Sequence, residues 1–100
     1  MKKIIDGKIY NTETAEKIGF YCNGESGFGR FHETLYKTKK GRYFTHGEGG
    51  PMTHYAKSCG QNYWTGSEDI FALSESEARE WAEKHLSSEE YLKFFSAEEA

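Results

Sequence analysis

Histidine and cysteine are the residues of this chain best suited to bind a metal or to catalyse nucleophilic chemistry. His46, His54 and Cys59 are spaced eight and five residues apart, and Cys22 and His32 lie upstream. A structural zinc site normally uses closely spaced pairs such as Cys-x-x-Cys, and the sequence contains no such pair. We therefore expect no metal site and no cofactor, and we expect both cysteines to be reduced and packed.

A glycine-rich segment surrounds the carboxylate that is the best candidate for acid–base chemistry. Gly47-Glu48-Gly49-Gly50 lacks the spacing and the Gly-Lys-Ser/Thr ending of phosphate-binding loops, so its glycines indicate a sharp exit from a hairpin. Glu48 could act as a general base with His46 or His54, or it could anchor an arginine of a partner. A deep pocket around these residues would favour the enzyme.

A basic, aromatic segment, residues 31–46, offers a different chemistry. Its cations are interleaved with aromatic residues, as in a sheet that stacks bases and neutralises phosphates. The cations are Lys37, Lys39, Lys40 and Arg42, and the aromatic residues are Tyr36, Tyr43 and Phe44. Lysines at a hairpin turn also serve simply to keep the hairpin soluble. The segment therefore supports nucleic-acid binding as an alternative function, whereas the net charge of −3 argues against nucleic acid as a direct ligand.

The charge of the chain is unevenly distributed. Residues 1–66 hold ten Lys/Arg and six Asp/Glu, a balance of +4, whereas residues 67–100 hold three and ten, a balance of −7, which together give −3. Glu80 and Glu83 lie off the apolar stripe of a predicted helix, and Glu68 and Asp69 precede it. Such carboxylates could imitate the charge of a nucleic-acid backbone. This asymmetry predicts two electrostatically distinct faces.

The elements that position these residues begin with short-range signals. Asp6-Gly7 between apolar pairs predicts a β-hairpin over residues 3–10. A helix is then expected from Asn11 or Thr12 to Cys22, because Ala15, Ile18, Gly19 and Cys22 form an apolar stripe at helical spacing. A long hairpin should pair residues 30–37 with 42–46, followed by a surface loop over residues 58–67 and a strand over residues 69–73.

Two capping boxes make the C-terminal region the clearest in the chain. Ser74 with Glu77 and Ser87 with Glu90 each have the serine–glutamate spacing that starts a helix, so we predict two helices within residues 75–95. The fold class is therefore a single α+β domain, residues 1–100, with a mainly antiparallel sheet and helices packed on one face. The expected core residues are Ile18, Leu35, Phe71, Trp81, Leu86 and Phe95.

The composition supports a compact domain that lies outside membranes. Aromatic residues make up 16% of the chain, which offsets a mean hydropathy of −0.85 because each aromatic residue buries a large area. No apolar run approaches the roughly 20 residues that a membrane-spanning helix needs, and the first residues do not form a signal peptide. We expect a soluble, cytoplasmic protein with no membrane partner.

Most of the chain resembles a family of small proteins of about this length, encoded by phages, plasmids and other mobile elements of Gram-positive bacteria. The resemblance spans residues 3–95 and rests on three segments, LYKTKKGRYFTHGEGG, GGPMTHYA and LSESEAREWAEKHL. It implies an inhibitor of the anti-CRISPR type, and it brings no catalytic residues with it.

The sequence thus leads to a non-enzymatic inhibitor that binds a host CRISPR–Cas complex or another nucleoprotein complex in the bacterial cytoplasm. In this hypothesis carboxylates contact a basic groove while exposed aromatic side chains anchor the contact. The partner-binding residues would be Glu80, Glu83, Glu68, Asp69, Glu48, Tyr43, Tyr55 and Trp64. The alternative is a small nucleic-acid-binding module that uses the hairpin 31–46. A small enzyme using Glu48 is the third candidate.

Overall fold

A computed structural model describes residues 1–61 and 63–100 of the chain. Over these residues the chain forms an α+β structure of mostly antiparallel strands and two helices, as the sequence predicted. The elements in chain order are β1 (Lys2–Ile5), β2 (Lys8–Asn11), β3 (Glu16–Cys22), β4 (Phe31–Lys37), β5 (Tyr43–Gly49), β6 (Lys57–Gly60), β7 (Tyr63–Thr65), β8 (Ser67–Leu73), α1 (Glu75–His85) and α2 (Ser88–Phe94).

A four-stranded antiparallel sheet with the order β3-β4-β5-β8 forms the centre of the molecule. The predicted hairpins are confirmed: β1 pairs with β2, and β4 pairs with β5 from Phe31 opposite Gly49 to Lys37 opposite Tyr43. Asp6 and Gly7 adopt φ values of 52° and 74°, which the favoured two-residue hairpin turn requires. The predicted strand over residues 69–73 lies within β8.

The helix predicted between Asn11 and Cys22 is wrong, because residues 16–22 form strand β3 at the edge of the central sheet. A β-bulge between Lys17 and Gly19 turns two consecutive residues, Ile18 and Gly19, toward the interior. Two adjacent buried residues resemble part of a helical stripe in the sequence. Backbone hydrogen bonds to β4 determine the observed structure instead.

The surface loop predicted over residues 58–67 is only partly correct. Strands β6 and β7 pair there as a small antiparallel hairpin with a bulge between Ser58 and Gly60, and β8 already begins at Ser67. Every residue of β6 and β7 is exposed, as predicted for this segment. Asn62, which belongs to the predicted loop, lies outside the described residues.

Both predicted C-terminal helices are present, and each begins with a complete capping box. Ser74 accepts a hydrogen bond from the Glu77 amide while the Glu77 side chain accepts one from the Ser74 amide, and Ser87 and Glu90 repeat this arrangement. Within the described residues, neither helix has the length and apolar character needed to cross a bilayer.

Two clusters of buried side chains form the core. The first contains Ile18, Leu35, Tyr43, Ala78, Trp81, Ala82 and Phe95, and the second contains Tyr10, Phe44 and Ile70. Tyr43 and Phe44 are neighbours on β5 and belong to different clusters, so the clusters lie on opposite faces of the sheet. Four of the six expected core residues are buried, whereas Phe71 and Leu86 are half-buried.

Candidate functional site

A buried carboxylate in the middle of β4 is the most chemically specific feature of the structure. Glu33 is only 6% exposed. Its Oε1 accepts a hydrogen bond from Trp81 Nε1 at 2.7 Å, and its Oε2 accepts one from the Tyr55 hydroxyl at 2.5 Å. His54 Nε2 lies 3.1 Å from the same Oε2. Because a buried charge is costly without such partners, these contacts allow a carboxylate to occupy the interior.

Three separate elements bring these groups together. Glu33 alternates with Leu35 on one face of β4, Trp81 comes from the buried side of α1, and His54 and Tyr55 come from the turn that follows β5. Glycine is required at position 47, where β5 approaches the Tyr55 side chain, because a Cβ atom there would collide with the Tyr55 hydroxyl and the His32 carbonyl oxygen. The Glu33 cluster therefore links the helix, the sheet and the turn.

The tyrosine of this cluster keeps its proton. Burial and, next, the hydrogen bond to the Glu33 carboxylate raise the pKa of Tyr55 well above its ordinary value of about 10. Tyr55 is therefore the donor and Glu33 the acceptor in their hydrogen bond.

The raised pKa of Tyr55 predicts a loss of stability in alkali. The folded state holds this proton more tightly than the unfolded state, so its contribution is fully present below about pH 10 and declines as the pH rises further. We expect the urea midpoint of the wild type to fall more steeply than that of Tyr55→Phe above about pH 10, with values at about pH 8 as the reference. The two proteins differ only in the Tyr55 hydroxyl, so parallel pH curves would contradict the prediction.

A cavity of about 340 Å³ lies beside the Glu33 cluster. Its lining includes Glu33, His54, Trp81, His85 and Glu80. Burial lowers the pKa of His85, while the negative charge of Glu33 partly opposes this effect. A carboxylate and two imidazoles around a cavity are suited to general acid–base chemistry, although the oxygens of Glu33 already accept hydrogen bonds from neighbouring side chains.

Two of the predicted aromatic anchors are buried and cannot contact a partner. Tyr43 is 6% exposed and packs on Phe95, with ring centroids 5.6 Å apart. Tyr55 is 1% exposed and binds Glu33. Their predicted exposure was wrong, because one fills the core beneath the helices and the other satisfies the buried carboxylate. Trp64 is 61% exposed, as predicted.

Asp69 makes its contacts within the molecule. It accepts a hydrogen bond from Lys3 Nζ at 2.6 Å and from its neighbouring amide, Ile70 N, at 2.8 Å. Burial alone would raise the pKa of Asp69, but these hydrogen bonds outweigh it and hold the pKa below its ordinary value. The ion pair joins the first hairpin to the edge strand β8. A partner that binds Asp69 would therefore have to compete with Lys3.

Glu48 and Glu68 lie directly opposite each other on β5 and β8. Their side chains are 63% and 50% exposed. His32 Nε2 lies 3.8 Å from Glu48, and His46 Nε2 lies 2.8 Å from Glu68. The candidate enzyme would need Glu48 to pair with His46 or His54. That predicted pairing is wrong, since His46 contacts Glu68 and His54 contacts Glu33. Like charges at opposed positions repel each other, so a cationic group would be favoured here.

These two carboxylates line a cavity of about 470 Å³ together with Arg30, Gly50 and Thr65. The loops around it expose large apolar side chains, namely Phe28, Met52, Tyr63 and Trp64. We call this region the loop end: residues 27–30, 48–61 and 63–68. Glu48, Glu68 and Trp64 are its exposed members of the predicted partner-binding set, whereas Tyr55 within it is buried.

The remaining predicted carboxylates lie elsewhere. Glu80 and Glu83 are both exposed on α1, but Glu80 borders the Glu33 cavity, whereas Glu83 borders a separate depression with Leu86 and Tyr91. The eight predicted residues therefore do not form one surface. Glu33 was not among the predicted site residues, although a carboxylate between Phe31 and Leu35 on one strand face was a usable signal.

The basic hairpin retains its charges but not its aromatic platform. Lys39, Lys40 and Arg42 are exposed at the β4–β5 turn, whereas Tyr43 and Phe44 are buried and Tyr36 stacks on Phe44 at 5.1 Å. Burial removes Tyr43 and Phe44 from the base-stacking surface of the alternative function, and the half-buried Tyr36 has one face against Phe44.

Both cysteine thiols lie at the surface of the molecule. Cys22 and Cys59 are both exposed and free, so the expectation that they are packed was wrong. Cys22 ends an edge strand and Cys59 belongs to the exposed β6–β7 hairpin, which explains their accessibility. In residues 1–61 and 63–100, no group of three or more His, Cys, Asp or Glu side chains is arranged to hold a metal ion.

Comparison with known proteins does not place the chain in a family: no family model, no curated protein and no solved structure matches it.

Proposed function

We propose that this chain is a non-enzymatic inhibitor that binds a bacterial nuclease complex of the CRISPR–Cas type inside the host cell, with the loop end as its contact surface. The observation that carries the proposal is the combination, at one end of the sheet, of opposed, exposed carboxylates with exposed aromatic side chains. The identity of the partner class comes from the sequence resemblance, and the surface comes from the geometry.

The apolar part of the loop end supports a protein partner. Phe28, Met52 and the β7 residues Tyr63 and Trp64 come from three segments of the loop end, and all are largely exposed. Large exposed apolar side chains that are grouped together mark interaction sites on proteins. Tryptophan and tyrosine are enriched among the residues that dominate interface energies. Trp64 is therefore the expected anchor.

The acidic part of the loop end supports a basic partner surface. Glu48 and Glu68 repel each other across the β5–β8 pair, and an arginine placed between them would relieve this repulsion with charge-assisted hydrogen bonds. The channel that holds the heteroduplex in a Cas9-type nuclease is positively charged. The two carboxylates would occupy arginines or lysines that otherwise contact phosphates.

The test uses a panel of bacterial strains, each with one active CRISPR–Cas system, and measures phage plating with and without the expressed chain. We expect protection of the phage in at least one strain. In that strain Glu48→Lys with Glu68→Lys should abolish protection and lower the affinity for the purified effector at least roughly 30-fold, the cost of an unpaired interface charge. Glu98→Lys with Glu99→Lys, which makes the same charge change in the exposed C-terminal residues, should have no effect.

A second comparison separates the apolar contribution from charge. Trp64→Ala should weaken binding, whereas Leu92→Ala, at an exposed position of α2, should not. If Glu80→Lys with Glu83→Lys abolishes inhibition while the loop-end variants retain it, the contact surface lies on α1 and our placement is wrong. If expression of the chain does not increase phage plating in any strain of the panel, the inhibitor proposal itself fails.

A further inference from the structure

Two hairpins that are distant in sequence place four cations around one cleft. Lys39, Lys40 and Arg42 come from the β4–β5 turn, and Lys8 comes from the start of β2. Together they line a cavity of about 380 Å³. Among the described residues that line it, none carries a carboxylate. We call this region the basic cleft.

Packing and turn geometry fix the basic cleft. The first hairpin is held on the sheet by Tyr10, whose ring meets the edge of Phe44 with centroids 5.5 Å apart. In the β4–β5 turn the Thr38 amide donates to the Arg42 carbonyl oxygen at 2.7 Å, and Gly41 adopts a φ of 86° that favours glycine. The four cations therefore extend from ordered backbone.

These cations form no ion pair within the part of the chain that the structure describes. Asp6 and Glu13 adjoin lining residues in the sequence, and Glu16 lies opposite Lys37 in the β3–β4 register, but none of the three lines the cavity. Lysines at an exposed turn improve solubility, which accounts for Lys39 and Lys40 alone. It does not account for Lys8, which a different hairpin brings to the same cavity.

We infer that the basic cleft binds the phosphate backbone of a nucleic acid without reading its bases. Clustered cations with low-dielectric walls attract anions, and successive phosphates present such anions at regular intervals. Base recognition is not expected, because Tyr43 and Phe44 beside the turn are buried and the half-buried Tyr36 is stacked on Phe44.

The basic cleft and the loop end lie at opposite ends of the β4–β5 hairpin. The strands pair over seven residues, from Lys37 opposite Tyr43 to Phe31 opposite Gly49, which separates the ends by about 20 Å. Occupation of one site therefore leaves the other accessible. The inference does not depend on the proposed inhibition, and each can fail without the other.

The inference is tested by fluorescence anisotropy with a labelled oligothymidylate of about 20 nucleotides. Four phosphate contacts on a single strand predict a salt slope of about −3, so the affinity should fall on the order of 50-fold between roughly 50 mM and roughly 200 mM NaCl. Lys39→Glu with Lys40→Glu should abolish binding. Lys84→Glu with Lys93→Glu makes the same charge change on the helices and should preserve it.

Lys8→Glu distinguishes binding in the basic cleft from binding to the β4–β5 turn alone. It should weaken binding at least 10-fold, whereas Lys57→Glu on β6 should not. A salt-independent signal, or equal losses in the two double variants, would overturn the inference. So would an affinity for inorganic tripolyphosphate equal to that for the oligonucleotide, because the cleft would then recognise a short free polyanion.

Discussion

Replacing Trp81 with alanine should lower the free energy of unfolding by about 3–5 kcal/mol. The indole belongs to the main cluster, where it lies among Ile18, Leu35 and Ala78 and is 8% exposed. Truncation removes this packing and leaves a cavity between α1 and the sheet. It also removes the N–H group that donates to Glu33 at 2.7 Å. Urea denaturation followed by far-UV circular dichroism measures the change.

Trp81→Phe separates packing from hydrogen bonding. Phenylalanine fills much of the same space but leaves Glu33 Oε1 without its indole donor, so we expect a loss of about 1–3 kcal/mol. A control is Trp64→Ala, which removes the same ring from the exposed β6–β7 hairpin. If Trp81→Ala were no more destabilising than Trp64→Ala, the proposed core between helix and sheet would be wrong.

Replacing Glu33 with leucine is expected to cost about 2–6 kcal/mol, because two buried donors then lose their acceptor at about 1–3 kcal/mol each. Those donors are the Trp81 indole and the Tyr55 hydroxyl. Leucine suits a buried site, so the expected loss arises from the unpaired groups around it. Equilibrium unfolding in urea at neutral pH measures this loss, and Glu33→Gln should retain part of the stability.

A combined variant provides the sharper test of this cluster. In Glu33→Leu with Trp81→Phe and Tyr55→Phe, acceptor and donors disappear together, so no buried donor remains unpaired in this network. The triple variant should therefore be considerably more stable than the sum of the three single losses predicts, since residues of one network are coupled. Strict additivity of the three free energies would show that the hydrogen bonds to Glu33 do not act as a unit.

Sequence signals predicted those parts of the fold that depend on contacts close along the chain. The Asp6-Gly7 turn requires only two residues with positive φ, and each capping box requires only a serine and a glutamate three residues later. These elements appear where the sequence placed them. The central hairpin also follows from the basic turn between two aromatic-rich segments.

Elements that depend on distant pairing were predicted less well. Residues 16–22 become a strand only because β4 offers an edge, and the bulge before Gly19 disguises the two-residue period of a strand. Gly19 also lacks the Cβ atom that would collide with the Leu86 side chain, so its presence reflects a helix more than sixty residues away. No local pattern contains that information.

The candidate site shows the same division. Exposure of Trp64 was predictable from a glycine-rich, polar segment, but burial of Tyr43 and Tyr55 depends on Phe95 and Glu33, which approach from other elements. The opposition of Glu48 and Glu68 requires the register of β5 and β8. Lys8 similarly joins the basic cleft only through packing of the first hairpin.

The hairpin that carries cations at its turn and carboxylates at its open end also gives this part of the molecule an electric dipole. The folded molecule is 49 Å long. The electric field of a charged partner therefore exerts a torque on this dipole before any atoms touch. A basic surface would rotate the carboxylate-bearing end toward itself and turn the lysines away. Because the Debye length is about 8 Å at physiological ionic strength, this pre-alignment should accelerate encounter most strongly in dilute buffer.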